Sequence, residues 1–313
     1  MATRKASSTK KAAARKPAAA KTTVRTISAS AKKPTTVTRA EVETATAPGL
    51  KKKLLPNNLI NIVLAELFGT FVLTLVMLAT ASATSALYAG LVLAALVMIV
   101  GGISGAHVNP AVTFGLWTVR KVKSIMLPFY WGAQFLGAIL AIVISSWISN
   151  SDVNLNFGHF FTFDWQIFGL ELVGAAVLVF GWVAVLQHKE MSGSGRALGI
   201  GLSFLAALVV AGTIYGSVRT SAIATYQTQS AAQSKDGGTT DIPHVVYDKG
   251  AVLNPAASLA ISDSTKGELT TGTKDNSEAT YSHLSVGVIL GTFIGAALGG
   301  NLYLLIVGRT KNS

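Results

Sequence analysis

The sequence contains no cysteine and few charged residues. With no Cys among 313 residues, disulfide bonds, thiolate nucleophiles and cysteine metal ligands are excluded. Asp, Glu, Lys and Arg make up only 13% of the chain, whereas apolar residues make up 50%. A soluble domain normally carries about twice that share of charged residues, so the composition indicates a protein that lies largely within a membrane.

The positive charge is concentrated at the N-terminal end. Fourteen of the 26 Lys and Arg precede Pro56, where only two acids, Glu41 and Glu43, accompany them. Residues 1–56 have few large apolar side chains, which predicts a disordered basic tail. Two interpretations are open: a solvated cytoplasmic segment that helps to set topology, or a tether to anionic lipid or nucleic acid. A transit peptide is a third, disfavoured because Lys predominates over Arg.

Six apolar runs are long enough to cross a hydrocarbon core about 30 Å thick. They predict membrane spans near 58–79, 86–101, 124–147, 166–186, 197–218 and 284–307. Two shorter apolar stretches, 109–117 and 254–261, cannot span, and both begin with Asn-Pro-Ala. The predicted fold class is therefore an all-α integral membrane protein with six transmembrane helices and two re-entrant half-helices.

Basic residues in the short loops predict the orientation of these spans. The loop 148–165 carries no Lys or Arg, and the long segment 219–283 carries five of them against seven acids. The basic residues of the opposite side lie before the third span, between the fourth and fifth spans and after the last span: Arg120, Lys121, Lys123, Lys189, Arg196, Arg309 and Lys311. This alternation predicts a multi-pass protein of the plasma membrane with cytoplasmic N- and C-termini.

The chain repeats itself once. AELFGTFVL (65–73) resembles LELVGAAVL (170–178), and SGAHVNPAVTFG (104–115) resembles GAVLNPAASLA (250–260). Each copy holds three spans, so the second copy is inverted, and inverted repeats place a shared site near the bilayer midplane. The predicted organisation is a tail, a first half, a second half with a long outer loop, and a C-terminal tail: 1–56, 57–150, 151–309 (loop 219–283) and 310–313.

Each Asn-Pro-Ala predicts the start of a helix, because Asn is a favoured N-cap and Pro fits the first helical turn. Inversion would bring both helix starts together at the midplane, where their partial positive charges oppose cations and protons. The side-chain amides of Asn109 and Asn254 would then donate hydrogen bonds into a shared lumen. The predicted pore residues are Asn109, Pro110, Ala111, Asn254, Pro255 and Ala256.

SGAHVNPAV and LNPAASLA resemble the two signatures of the aquaporin, or major intrinsic protein, family. The resemblance covers about residues 60–309 without part of 219–283. It implies a homotetramer in the lipid bilayer with a separate pore for water and small neutral solutes in each subunit. It also implies that certain buried polar residues brace the signature loops, namely Glu66, Glu171, His107 and Gln134.

The second signature departs from the family pattern, which usually continues Asn-Pro-Ala-Arg. Here the fourth position is Ala257, so the positive charge and hydrogen-bond donor of the outer constriction are missing. Matching the remaining filter positions by their offsets in the sequence gives Ala89, Leu208 and Ala251. A constriction built from these four residues would be wide and apolar, and would pass solutes larger than water or slow polar ones by dewetting.

The leading functional hypothesis is a passive channel for water or small neutral solutes such as glycerol. Two alternatives remain: a proton-coupled transporter that uses Glu66 and Glu171, and a non-conducting membrane protein with a nucleic-acid- or lipid-binding tail. Neither an enzyme nor a cofactor is predicted. No metal site is predicted either, because no His or acid keeps a ligand spacing with His107.

Two further expectations concern packing and the long loop. Small residues predict close contacts between helices at Gly132, Gly137, Ala138, Gly291, Gly295 and Gly299. The segment 219–283 is either an outer lid, with Tyr247 or Asp248 active in it, or a tolerated surface insertion.

Overall fold

The computed structural model describes residues 55–79, 85–153, 155–233, 241–271 and 279–310. Within these ranges the secondary structure is helical, apart from an isolated bridge between Ser262 and Ser282. The helices are α1 (Leu59–Ala79), α2 (Ser85–Ser104), α3 (Pro110–Thr118), a 3₁₀ turn (Ser124–Met126), α4 (Leu127–Ser149), α5 (Trp165–Gln187), α6 (Gly193–Gln233), α7 (His244–Tyr247), α8 (Pro255–Ala260), α9 (Lys266–Thr271) and α10 (Val286–Thr310).

Six of these helices, α1, α2, α4, α5, α6 and α10, are long and apolar enough to cross a membrane. The predicted fold class, six transmembrane helices in an all-α protein, is therefore confirmed. The predicted tail 1–56 lies outside the described residues except for its last two positions. The C-terminal residues 311–313 also lie outside them.

The fifth span is longer than the sequence predicted. The expected segment was 197–218, followed by a loop, but α6 continues to Gln233 and is 41 residues long. The apolar run does end near Val218, which is why the prediction stopped there. The helix continues because the stretch after Val218 contains no proline and several alanines and glutamines, which favour helix.

The helices pair closely where glycines allow it. A Cβ at Gly137 of α4 would lie 2.4 Å from the carbonyl oxygen of Leu67 in α1. The inverted copy has the same arrangement, since a Cβ at Gly295 of α10 would lie 2.1 Å from the carbonyl oxygen of Leu172 in α5. Gly132 differs from its prediction: a Cβ there would meet no atom within 4 Å, so this glycine takes part in no such contact.

Helices α2 and α6 cross by the same device. A Cβ at Gly201 would lie 2.3 Å from the carbonyl oxygen of Gly90, and one at Gly90 would lie 2.9 Å from that of Gly201. These pairings enclose a buried apolar cluster that contains residues of α2, α5 and α6 and the residue before each Asn-Pro-Ala, Val108 and Leu253. The two short helices α3 and α8 therefore begin inside the protein.

Candidate functional site

Helices α3 and α8 begin as the Asn-Pro pairs predict. The side-chain oxygen of Asn109 accepts a hydrogen bond from the Ala111 N–H at 2.8 Å. The side-chain oxygen of Asn254 accepts from the Ala256 N–H at 3.1 Å. In both helices the proline occupies the first turn, where its missing N–H leaves no carbonyl unpaired.

The two helix starts are joined by reciprocal hydrogen bonds. The amide nitrogen of Asn109 donates to the carbonyl oxygen of Leu253 at 2.7 Å, and that of Asn254 donates to the carbonyl oxygen of Val108 at 3.0 Å. Each bond connects residues more than 140 positions apart in the chain. The positive ends of both helices therefore meet at one point.

This arrangement qualifies the expected role of the two amides. Each amide group has two N–H donors, and one of them is bound to the opposite loop. Asn109 and Asn254 are 3% and 0% exposed. The carbonyl groups of Val108 and Leu253 accept these bonds. The second N–H of each asparagine has no hydrogen-bond partner among the described residues.

The backbone before each asparagine is in an unusual conformation. Val108 and Leu253 have φ angles of 44° and 58°, in the left-handed region that branched and bulky residues rarely adopt. Each loop also contains a glycine at positive φ, Gly105 at 93° and Gly250 at 122°. Such conformations persist only where surrounding contacts impose them, and they occur often at functional sites.

Two glutamates supply those contacts. Glu66 of α1 accepts hydrogen bonds from the N–H groups of His107 at 2.9 Å and Val108 at 2.7 Å. Both glutamates are fully buried, Glu66 in α1 and Glu171 in α5. Glu171 accepts from the N–H groups of Val252 at 2.8 Å and Leu253 at 2.9 Å.

The first glutamate has further polar neighbours. The Gln134 amide donates to Glu66 at 2.8 Å and to the Thr113 hydroxyl at 3.0 Å. His107 Nδ1 lies 3.2 Å from the same hydroxyl, and its ring stacks on Tyr130 with centroids 4.6 Å apart. His107 and Gln134 thus both reach α3 through Thr113, which the sequence did not single out.

The second glutamate has a different neighbourhood, which the sequence did not predict. His283 Nε2 lies 3.7 Å from Glu171 Oε1, and His283 Nδ1 lies 3.2 Å from Asp248 and 3.1 Å from Asp263. Burial opposes a charge on His283, but Asp248 and Asp263 outweigh it and raise the pKa of this histidine well above its ordinary value. These carboxylates therefore favour the protonated form of the imidazole that lies beside the glutamate holding the second loop.

The two aspartates around His283 respond in opposite ways. Burial raises the pKa of Asp248 to about 6, against the opposing effects of His283 and the Gly250 N–H. Burial also disfavours the charge on Asp263, but the neighbouring His244 and the hydrogen-bonded His283 outweigh it and hold the pKa of this carboxyl well below its usual range. Both carboxyls are therefore largely ionised at neutral pH, and Asp248 is the first of the two to take up a proton as the pH falls.

Two cavities flank the asparagines. The first-loop cavity, about 710 Å³, reaches Gly105 and His107 and the helix positions Gly101 of α2 and Ile200 of α6. The second-loop cavity, about 820 Å³, reaches Ala251, Ala89 of α2 and Leu208 of α6. The first-loop cavity borders the C-terminal part of α2 and the N-terminal part of α6. The second-loop cavity borders the N-terminal part of α2 and a later part of α6. The two cavities therefore lie on opposite sides of the helix starts.

The filter positions are only partly together. Ala89, Leu208 and Ala251 all line the second-loop cavity. Ala257 does not line it and is fully buried, because it lies in the first turn of α8 and its N–H donates to Asn254. The cavity is also less apolar than predicted, since Arg219 and Lys249 are among its lining residues.

Arg219 is the residue that the sequence interpretation missed at this site. Its Nε donates to the carbonyl oxygen of Val246 at 3.4 Å, which turns the side chain towards the second-loop cavity. The residue was counted as part of a loop because the apolar run ends at Val218. Because α6 continues to Gln233, Arg219 lies on this helix about three turns beyond Leu208. A prediction that extended the helix past Val218 would have placed it there.

Comparison with known proteins agrees with this geometry. Residues 80–223 match the sequence profile described as Major intrinsic protein. Aquaporin NIP2-1 of Oryza sativa subsp. japonica is 30% identical over 176 residues, which is 51% of this chain and 58% of that protein. Aquaporin-1 of Mus musculus is 38% identical over 119 residues, or 36% of this chain and 44% of that protein. The chain thus spans about half the length of the curated relatives it matches.

A solved structure has the same fold. The X-ray structure of the aquaglyceroporin from Plasmodium falciparum superposes with a TM-score of 0.50 and 19% identity, covering 80% of this chain and 98% of that one. At this level of identity the similarity concerns the fold alone. It extends well beyond residues 80–223, which do not include the second Asn-Pro-Ala.

Proposed function

We propose that the chain belongs to the major intrinsic protein family and that it is a passive transmembrane channel for water and small neutral solutes such as glycerol. The pair of reciprocal hydrogen bonds between Asn109 and Leu253 and between Asn254 and Val108 carries this proposal. These bonds hold two helix N-termini together between two cavities that lie on opposite sides of them. A solute that moves from one cavity to the other passes this point.

The junction favours neutral hydrogen-bonding solutes. Each helix N-terminus contributes roughly half a positive charge, which repels cations and protons. The free N–H of each asparagine amide donates to a passing oxygen atom, as in water or an alcohol. The pore residues in this proposal are Asn109, Pro110, Ala111, Asn254, Pro255 and Ala256.

The second-loop cavity determines which solutes enter. Ala89, Leu208 and Ala251 present small or apolar surfaces, which favours solutes wider than water. Arg219 and Lys249 add positive charge at the same cavity, so charge repulsion there does not depend on the fourth position of the second motif. We assign Ala257 an indirect role in the size of the cavity. Its small side chain is buried in the packing of α8 and does not extend into the cavity.

The transporter alternative finds less support. Both carboxylate oxygens of Glu66 and of Glu171 already accept backbone N–H bonds that hold strained loops. A proton on either carboxylate would convert an acceptor into a donor facing another donor, which costs about 1–3 kcal/mol. We therefore assign both glutamates, with His107 and Gln134, to bracing the loops and not to carrying protons.

The test is stopped-flow light scattering on proteoliposomes of the purified protein. Under a sucrose gradient we expect vesicles to shrink faster than protein-free liposomes, and under a glycerol gradient to re-swell quickly. Saturable flux that requires a pH gradient would favour the transporter instead. Rates equal to those of empty liposomes for both solutes would overturn the channel proposal.

We propose the same organisation that the sequence indicates for the rest of the protein. The halves 57–150 and 151–309 form one channel. Four copies form a homotetramer in the plasma membrane, and both termini of each chain lie in the cytoplasm. The basic side chains Lys121, Lys123 and Arg196, which line the first-loop cavity, support this orientation. Native mass spectrometry tests the tetramer, and protease protection of the termini in sealed vesicles tests the orientation.

The basic tail remains a proposal of its own. We propose that it contacts anionic lipid headgroups, since fourteen Lys and Arg would lie next to a negatively charged leaflet. Deletion of residues 1–54 should leave flux unchanged. The fraction of tail peptide that sediments with anionic vesicles should fall steeply as the salt concentration rises. Binding to nucleic acid as tight as binding to the vesicles would favour nucleic acid as the ligand.

A further inference from the structure

Three segments far apart in the sequence bring a histidine-rich group together beside the second-loop cavity. His159 precedes α5, His244 begins α7, and Asp263 follows α8. One nitrogen of each histidine and a carboxylate oxygen of Asp263 lie within 4.8 Å of one another. The group borders its own cavity of about 410 Å³, which shares Ser264 with the second-loop cavity.

The three side chains are held in place. The His159 ring stacks on Tyr281 with centroids 3.7 Å apart, and it meets the His244 ring edge-on at 5.2 Å. His244 Nε2 lies 3.6 Å from Asp263 Oδ2. These contacts fix the ring planes, and all three residues line the cavity.

Three ring nitrogens in this group lack a hydrogen-bond partner. His159 Nδ1, His244 Nδ1 and His244 Nε2 are inaccessible to solvent, and none of them has a hydrogen-bond partner among the residues that the structure describes. A buried polar atom without a partner costs about 1–3 kcal/mol, and most such atoms in proteins are paired. A bound ligand that accepts nitrogen lone pairs would remove this cost.

We propose that His159, His244 and Asp263 bind a zinc ion. Two imidazoles and one carboxylate match the three protein ligands of open zinc sites, in which water takes the fourth position. Calcium and magnesium prefer oxygen ligands throughout, so a set with two nitrogens disfavours them. The sequence predicted no metal site because the three ligands have no local spacing.

The surroundings of Asp263 suit a metal ligand. Its Oδ1 pairs with His283 Nδ1 at 3.1 Å, which leaves Oδ2 directed at His244. Such outer partners orient ligating carboxylates and strengthen metal binding. His283 in turn lies beside Glu171, so the zinc ligand is connected through one side chain to the glutamate that holds the second pore loop.

A second grouping of titratable residues shares Asp263 but does not compete for the metal. Asp248, Asp263 and His283 also lie close enough to surround an ion. They are nearly fully buried, however, and His283 Nδ1 already contacts both carboxylates at 3.2 and 3.1 Å. The unpartnered nitrogen of that grouping, His283 Nε2, faces Glu171 at 3.7 Å, whereas His159, His244 and Asp263 all line one cavity, and we place the zinc there.

The test is isothermal titration of zinc chloride into the full chain in detergent, with any affinity tag removed. We expect one zinc per chain, and binding at least about tenfold weaker in the variants His159→Ala and His244→Ala. The matched control is His188→Ala, an exposed histidine at the end of α5, which should bind zinc as the unaltered chain does. Magnesium chloride should give no heat of binding.

A second measurement covers variants that fold poorly. Cobalt chloride added to the unaltered chain should give the visible absorption bands of a tetrahedral cobalt site, and zinc should remove them. His159→Asn, which keeps the ring's approximate volume and polarity, should lack these bands at unchanged elution on gel filtration. Zinc binding that is absent from the unaltered chain, or that survives in the double variant of His159 and His244, would overturn the proposal.

Discussion

His283 Nε2 lies 3.7 Å from Glu171 Oε1, whereas the equivalent carboxylate in the first copy, Glu66, receives a hydrogen bond from Gln134 at 2.8 Å. The two glutamates hold their loops by the same pair of backbone bonds but have different third partners. The two copies are therefore alike in the backbone hydrogen bonds to each glutamate. They differ in the next side chain that contacts the glutamate, Gln134 in the first copy and His283 in the second. The asymmetry connects only the second loop to the charged group that includes Asp248 and Asp263.

Replacing either bracing glutamate should loosen one pore loop. In Glu171→Gln, one of the N–H groups of Val252 and Leu253 would face an NH₂ group in place of an oxygen. We expect a loss of about 1–3 kcal/mol of stability and a large fall in water flux. Thermal unfolding in detergent and stopped-flow scattering measure the two effects.

The matched control for that substitution is Glu190→Gln, since Glu190 is exposed between α5 and α6. It should change neither the unfolding temperature nor the flux. If Glu171→Gln unfolds at the same temperature as the unaltered chain and conducts as well, the glutamate does not hold the loop.

A negative charge between the two helix starts should change ion selectivity. Asn109→Asp keeps an oxygen to cap α3 but loses the amide that donates to Leu253. Its carboxylate would also offset the positive potential of the two helix N-termini. We expect slower water flux and a measurable cation conductance in planar bilayers.

Asn150→Asp provides the control for charge alone, because Asn150 is an exposed residue at the end of α4. That variant should stay impermeable to cations. A cation conductance in both variants would show that the added charge acts from any position, and its absence in Asn109→Asp would remove the proposed barrier from this junction.

The contact between α5 and α10 should tolerate no side chain at residue 295. In Gly295→Ala the new Cβ would lie 2.1 Å from the carbonyl oxygen of Leu172, which belongs to a helix backbone and cannot move aside. We expect a loss of about 1–3 kcal/mol or more, measured by chemical or thermal unfolding in detergent.

Gly132→Ala is the corresponding substitution where space is open, since a Cβ there meets nothing within 4 Å. Alanine is the better helix former by about 1 kcal/mol, so this variant should be as stable as the unaltered chain or slightly more stable. Equal destabilisation by both substitutions would mean that glycine at 295 is not required for packing.

Arg219 should contribute to cation exclusion at the second-loop cavity. Arg219→Gln removes one positive charge there and leaves an amide of similar reach. We expect cation leakage to increase while the glycerol rate stays within about twofold, because a neutral solute does not sense the lost charge. Ion flux and glycerol swelling measured on the same proteoliposomes separate the two.

Lys189→Gln removes the same charge from an exposed loop outside both cavities. It should leave both rates unchanged. Cation leakage that is the same in Arg219→Gln as in the unaltered chain would assign the barrier to the helix N-termini alone.

The local features of the pore were readable in the sequence because short-range chemistry decides them. Asn is a favoured N-cap and Pro fits the first helical turn, so the starts of α3 and α8 follow from residues 109–110 and 254–255. Runs of about 20 apolar residues form membrane helices for a similar reason, since every backbone group must be paired within lipid. Two copies of one pattern with three spans each then imply that the helix starts meet.

Only the tertiary structure decided which side chains surround the pore loops. Arg219 borders the second-loop cavity because α6 continues past its apolar run, and Ala257 is hidden because it packs in the first turn of α8. His283 reaches Glu171, and His159 reaches His244 and Asp263, across separations of about 20 to more than 110 residues. Contacts of that kind depend on how loops fold over the helices, and no periodicity or local spacing in the sequence encodes them.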